Sequence, residues 1–176
     1  MSVHPRLHRT RLLGALTAIS CLALSGASAA NGTWKYDTED QGHPRLANWE
    51  NDKTVVMIGC GHAFAIHAVY PGAPKPDTEK ATITIANGKT EMKLDGVIDG
   101  HFAEMSPPNT THFVQFDLGF TRQDPELYGR RWKRLEARLL NFLDSGRPLT
   151  VSAEGKSYEL PPIRIHGWKE RFRKIC

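Results

Sequence analysis

Residues 80–98 read KATITIANGKTEMKLDGVI. Lys80 to Ala86 alternates, with Ala81, Ile83 and Ile85 on one side and Thr82 and Thr84 on the other. Strict apolar/polar alternation marks a strand with one face buried. Asn87-Gly88 is the strongest short hairpin signal, because the favoured tight turns need positive φ that Asn and Gly tolerate. Glu91 to Ile98 then returns with Met92, Leu94 and, after Gly96, Val97 and Ile98.

Towards the N-terminus, Thr54 to Ile58 is short and β-branched, and Ala63 to Tyr70 continues it or pairs with it before the rigid loop Pro71-Gly72-Ala73-Pro74-Lys75-Pro76. Asn31 to Asn51 is polar, with Trp34, Tyr36, Leu46 and Trp49 as its large apolar anchors. It reads as an extended segment laid over the domain, with at most one short strand. Beyond the hairpin come a tight turn at Asp99-Gly100, a candidate strand over His101 to Met105, and a second alternating run from His112 to Leu118. No connection within this block is long enough for a helical crossover, so an antiparallel meander is expected.

The pattern changes at Asp124-Pro125-Glu126, where an N-cap acid, a first-turn Pro and a first-turn acid start a helix. Tyr128, Trp132, Leu135, Leu139 and Phe142/Leu143 recur at helical spacing, and Gly146 suits the position that ends the helix. A second hairpin turns at Glu154-Gly155, and Trp168, Phe172 and Ile175/Cys176 space out a short terminal helix. The expected class is α+β: an antiparallel β-meander sheet with one long amphipathic helix, about 125–145, and a short C-terminal helix.

Residues 1–30 have the layout of a secretory signal peptide. Arg6, Arg9 and Arg11 precede an apolar run from Leu12 to Leu24, and Ala27-Ser28-Ala29 and Ser28-Ala29-Ala30 offer small residues for cleavage. The run is shorter than the about 20 residues a spanning helix needs, so no transmembrane span is expected in the mature chain. A lipid anchor at Cys21 is the minor alternative, since Ala18 stands where a larger aliphatic residue is usual. The expected organisation is a cleaved leader over 1–30, an extended segment over 31–52 and one α+β domain over 53–176. A periplasmic or secreted bacterial protein follows. Nothing in the sequence sets its oligomeric state.

The chain carries 23 Lys and Arg against 19 Asp and Glu, a formal charge of +4. Such a balance invites an anionic partner such as nucleic acid. Cleavage after Ala30 removes three arginines and no acid, which leaves +1. Nucleic acid is therefore not expected. The charge is divided instead, −5 over residues 31–121 and +6 over residues 122–176. Cleavage also removes Cys21, leaving Cys60 and Cys176, an even count that in an oxidising compartment points to a disulfide. The rival reading makes Cys60 a thiolate nucleophile with His62 as its base.

Other chemistry is sparsely signalled. Of His43, His62, His67, His101, His112 and His166, only His62 and His67 have zinc spacing, and strand alternation would send those two to opposite faces. Asp37 to Gly42 resembles the start of a calcium loop but has Asn48 where the bidentate Glu belongs. No nucleophile elbow, zincin or phosphate-loop motif is present. Asp95, Asp99, Glu104 and Asp117 would be unremarkable as a carboxylate pair on a meander. Catalytic residues, metals and cofactors are accordingly not expected.

The basic set is more distinctive, because Arg130, Arg134 and Arg138 recur at i, i+4 and i+8 on one helix face. Arginine forks take phosphate and carboxylate bidentately, so an anionic envelope component or an acidic protein is the expected partner. The functional expectation is an exported, non-catalytic binding protein of the cell envelope. The alternative is a small periplasmic hydrolase using His62 or His101 with an acid.

Overall fold

The computed structural model describes residues 32–38, 42–60, 64–88, 90–102, 107–115 and 125–175. The expected leader, Cys21, His62 and Cys176 lie outside the described residues. Nine strands make one sheet: β1 (Thr33–Thr38), β2 (Pro44–Glu50), β3 (Lys53–Cys60), β4 (Phe64–Val69), β5 (Lys80–Ala86), β6 (Glu91–Ile98), β7 (His112–Gln115), β8 (Leu149–Ala153) and β9 (Lys156–Leu160). Their order is β1-β2-β3-β4-β7-β6-β5-β8-β9. Every neighbouring pair is antiparallel.

This corrects the expected fold class. The molecule is a mainly antiparallel β structure, a curled half-barrel, rather than an α+β meander built around one long amphipathic helix. Its helices, α1 (Pro125–Leu143) and α2 (Trp168–Ile175), are accessories to that sheet. The apolar periodicity of α1 suggested a helix lying on the sheet along its length. Among its described side chains, Leu139, Leu140, Phe142 and Leu143 are buried, whereas Lys133, Arg134 and Arg138 are exposed. Among the described side chains, docking is carried by the last turns.

The strand order also departs from a simple meander. β1 to β4 run in sequence order, and Asn31 to Asn51, read as mostly extended, supplies β1 and β2. The Pro71–Pro76 loop then carries the chain three places across, because prolines there lack the N–H that a ladder would use. β5, β6 and β7 return, so that β7 closes on β4 from Val69↔His112 to Ile66↔Gln115. The connection holding α1 crosses to the free edge of β5, where Thr84 pairs with Ser152.

The decisive hairpin is as read: Ile83 faces Leu94 and Ile85 faces Met92 on the buried side, while Thr82 and Asp95 pair outside. Asn87 does more than turn the chain. Its buried side-chain amide donates to the Phe142 carbonyl at 3.0 Å, satisfying one of the orphan acceptors at the end of α1. Gly146, at φ +67°, then takes the chain out of the helix in a conformation that suits glycine. Gly96 is required for a different reason. A Cβ there would run into the Val114 carbonyl and sit 2.8 Å from the Phe113 ring, so its bareness lets β7 approach β6.

Curling brings the outer strands together. Trp34 Nε1 of β1 donates to the Pro161 carbonyl, just beyond β9, at 2.7 Å, and the Tyr158 hydroxyl of β9 donates to the Val69 carbonyl at 2.9 Å. The enclosed core takes Leu46, Ile58, Ile66, Ile83, Phe113 and Val151 from the sheet, and the apolar ends of both helices. Trp168 and Phe172 of α2 meet edge to face, their centroids 6.4 Å apart, within it. No helix among the described residues is long and apolar enough to cross a membrane.

Candidate functional site

Two helical contacts define the basic surface. Lys169 Nζ of α2 donates to Asp144 Oδ2, just past α1, at 2.6 Å, and Arg173 Nη2 donates to Asn141 Oδ1 at 3.1 Å. The sequence steps forward on α2 as it steps backward on α1, so the helices run antiparallel. Arg134 and Arg138 project from α1 into solvent, and neither forms an ion pair with another described residue. The backbone of Arg130 lies in α1, but its side chain falls outside the described residues. Arg173 adds a cation to this ridge that its distance in sequence hid. Glu136 is half-buried on α1; burial raises its carboxyl pKa, against the pull of Arg173 and Lys133.

Not every cation near this surface is available. Arg171 lies over the Tyr36 ring at 4.4 Å and donates to the Gly167 and His166 carbonyls, which ties α2 to β1. Several acids of the sheet and its loops are engaged elsewhere. Asp37 takes a two-pronged contact from Arg45 across the β1–β2 ladder, at 2.8 and 2.9 Å. Glu79 and Glu154 share Lys75. Among the described residues, no acid of the sheet forms an ion pair with Arg134 or Arg138.

Cys60 ends β3, two residues beyond the buried Ile58, and α2 packs against the neighbouring β2. The side chain of Cys60 and all of Cys176 lie outside the described residues, so the expected pairing does too.

A second cluster gathers where β4, β6 and β7 meet. His67 and His112 share the outer face of the β4–β7 ladder, opposite Val114 and Val69. Burial lowers both imidazole pKa values to about 4, more than the nearby Asp99 carboxylate restores, so both rings are neutral at pH 7. His101 is different. It sits on a 3-10 turn, Gly100–Phe102, with Nδ1 2.9 Å from Asp99 Oδ1 and its side chain 88% exposed. A small cleft of about 80 Å³ beside it is lined by Lys75, Asp77, Asp99, Thr110 and His112, and His101 is not on its wall.

Asp77, Asp99 and His101 hold donor atoms within 4.8 Å of one another, the one such grouping among the described residues. Two carboxylates and an imidazole are a donor set a divalent cation accepts. Here Asp77 takes the Gly100 N–H and Asp99 takes the His101 N–H, each at 2.8 Å, so both acids already brace the turn. The sequence singled out Asp99 and His101 but not Asp77, whose approach depends on the β4–β5 loop.

An open cleft of about 510 Å³ lies against that loop and is lined by Tyr70, Lys75, Lys80, Thr82, Asp95 and Glu154. Glu154 accepts the Ala73 N–H at 3.0 Å and pairs with Lys75 at 3.1 Å; the first contact chiefly lowers its pKa. Tyr70 is buried, and burial followed by the Glu154 charge raises its phenol. These groups strap the proline loop to the β8–β9 turn across 81 positions of sequence, a separation that leaves no local signal.

No family model, no curated protein and no solved structure matches the chain.

Proposed function

We propose that the chain is an exported, non-catalytic binding protein of the bacterial envelope, periplasmic or secreted, that takes an anionic partner on the α1 face of Arg130, Arg134 and Arg138. The observation carrying this reading is that Arg134 and Arg138 stand exposed and paired with no acid among the described residues. A purely structural role would favour basic residues satisfied by the acids of the sheet, and among these Asp37, Glu79 and Glu154 are occupied elsewhere. An arginine held by its own protein's carboxylates has little left for a ligand, whereas an unpaired fork retains all its donors.

Charge reversal at Arg130, Arg134 and Arg138 is expected to abolish capture by envelope fractions while leaving the melting temperature within a degree or two, since exposed charges contribute little to stability. Capture indifferent to the three changes would sink the reading. Export is tested by the mass of the secreted protein, expected to begin at or near Asn31. Comparing that mass with and without reductant also reports the proposed Cys60–Cys176 bond.

A further inference from the structure

We propose that the surface where the C-terminal end of α2 meets the middle of α1 docks on an anionic lipid bilayer, with Ile175 as the apolar anchor; this rests on the basic-face reading and names its partner. The antiparallel pairing makes the argument. Moving from Asp144–Lys169 to Asn141–Arg173 advances along α2 and retreats along α1. Lys174 and Ile175 follow Arg173 at the end of α2, while Arg138 lies one turn and Arg134 two turns before Asn141 on α1. Residues more than 35 positions apart in sequence thus gather where the C-terminal end of α2 meets the middle of α1. The pull of Arg173 on the Glu136 carboxyl agrees with this placement.

Ile175 continues the spacing of Trp168 and Phe172, which are buried, yet it is 49% exposed, the only large hydrophobic side chain at the surface among the described residues. A single exposed isoleucine needs no explanation by itself. Its position among cations does, because the two chemistries call for different phases. A soluble acidic glycan or an acidic protein surface offers carboxylates or phosphates but no hydrocarbon. An anionic bilayer offers phosphate at the level of the arginines and acyl chain just below it, the combination that holds basic amphipathic surfaces at the interface. Lys133, Arg134, Arg138, Arg173 and Lys174 supply the positive charge, against the half-buried Glu136 and the exposed Glu170.

The test is co-sedimentation of the chain from Asn31 to Cys176, which contains every described element, with phosphatidylcholine vesicles made with or without phosphatidylglycerol. Soluble dextran sulfate serves as a parallel probe. Binding is expected only to the phosphatidylglycerol vesicles. Replacing Arg134 and Arg138 together by Gln should lower it on the order of 30-fold, from the worth of a basic residue near an anionic surface. Ile175→Ser should lower vesicle binding roughly tenfold and leave dextran sulfate binding unchanged, since the polymer has no apolar phase. Unchanged melting temperatures keep both variants interpretable. If dextran sulfate binds through the arginines while vesicles are ignored, or are bound equally by Ile175→Ser, the bilayer proposal is overturned and the anion-binding function stands. If neither probe binds through the arginines, both fall.

Discussion

The β5–β6 hairpin and the β4–β7–β6 seam do the same structural job by opposite means. The hairpin pairs seven residues with seven across a four-residue connection, and β5 shows the expected alternation of buried and exposed positions. The seam rests on β7, four residues long and buried at every position, with four pairings to β4 and two to β6. It joins the meander β1–β4 to the strands that follow the proline loop. The hairpin is local and tolerant on one side. The seam is nonlocal and covered on both faces, so it has nowhere to put an extra atom or a charge.

That difference can be broken most forcefully at Gly96. Gly96→Val drives a branched side chain into the Val114 carbonyl and the Phe113 ring, and is expected to cost about 3 kcal/mol or more in urea unfolding. Thr82→Val on the exposed face of the hairpin should change stability by about 0.5 kcal/mol or less. Equal costs at the two positions would erase the contrast.

Acid probes the same seam more gently. His67 and His112 have folded pKa values lowered from 6.5 to about 4, so between those limits the unfolded chain binds more protons. Their contribution to stability is complete above pH about 6.5 and is lost as pH falls to about 4, a change of up to about 3 kcal/mol for each ring. Urea midpoints measured through this window should decline steadily. Replacing both histidines by Gln should flatten the decline, whereas an unaltered slope would place its origin in other groups.

The smallest effect belongs to the hairpin's one nonlocal duty. Asn87→Ala removes the donor to the Phe142 carbonyl and should cost about 1 kcal/mol, with exchange protection lost first in the last turn of α1. Loss confined to the β5–β6 ladder would mean that the turn matters and the cap does not.

The same contrast explains what could be read from the chain alone. β3, β5, β6, β8 and β9, the two helices and the turns at Gly88, Gly146 and Glu154-Gly155 follow from period, caps and turn residues, all of which act within a few positions. Strand order does not, because it depends on where the proline loop deposits β5 and on a bare Gly96 accepting β7. β7 itself misled: the run from His112 reads as an alternating strand, yet His112 and Gln115, which lie on opposite faces, are both buried. At the candidate site, the i, i+4, i+8 spacing made the arginine face visible. Arg173 and Ile175 joined it only through the pairing of the two helices.

The bond from Trp34 to Pro161 spans 127 positions and joins the first described strand to a residue close to the end of the chain. A chain that emerges N-terminus first cannot make it until residue 161 is out. Until β7 joins it, β4 offers an open ladder of N–H and C=O groups to any passing strand. Such distant closures are also slow, since the loop entropy is surrendered before the contact repays it. The molecule is therefore built to finish folding late and all at once, and the interval before that closure is when it most needs to be kept from its own copies.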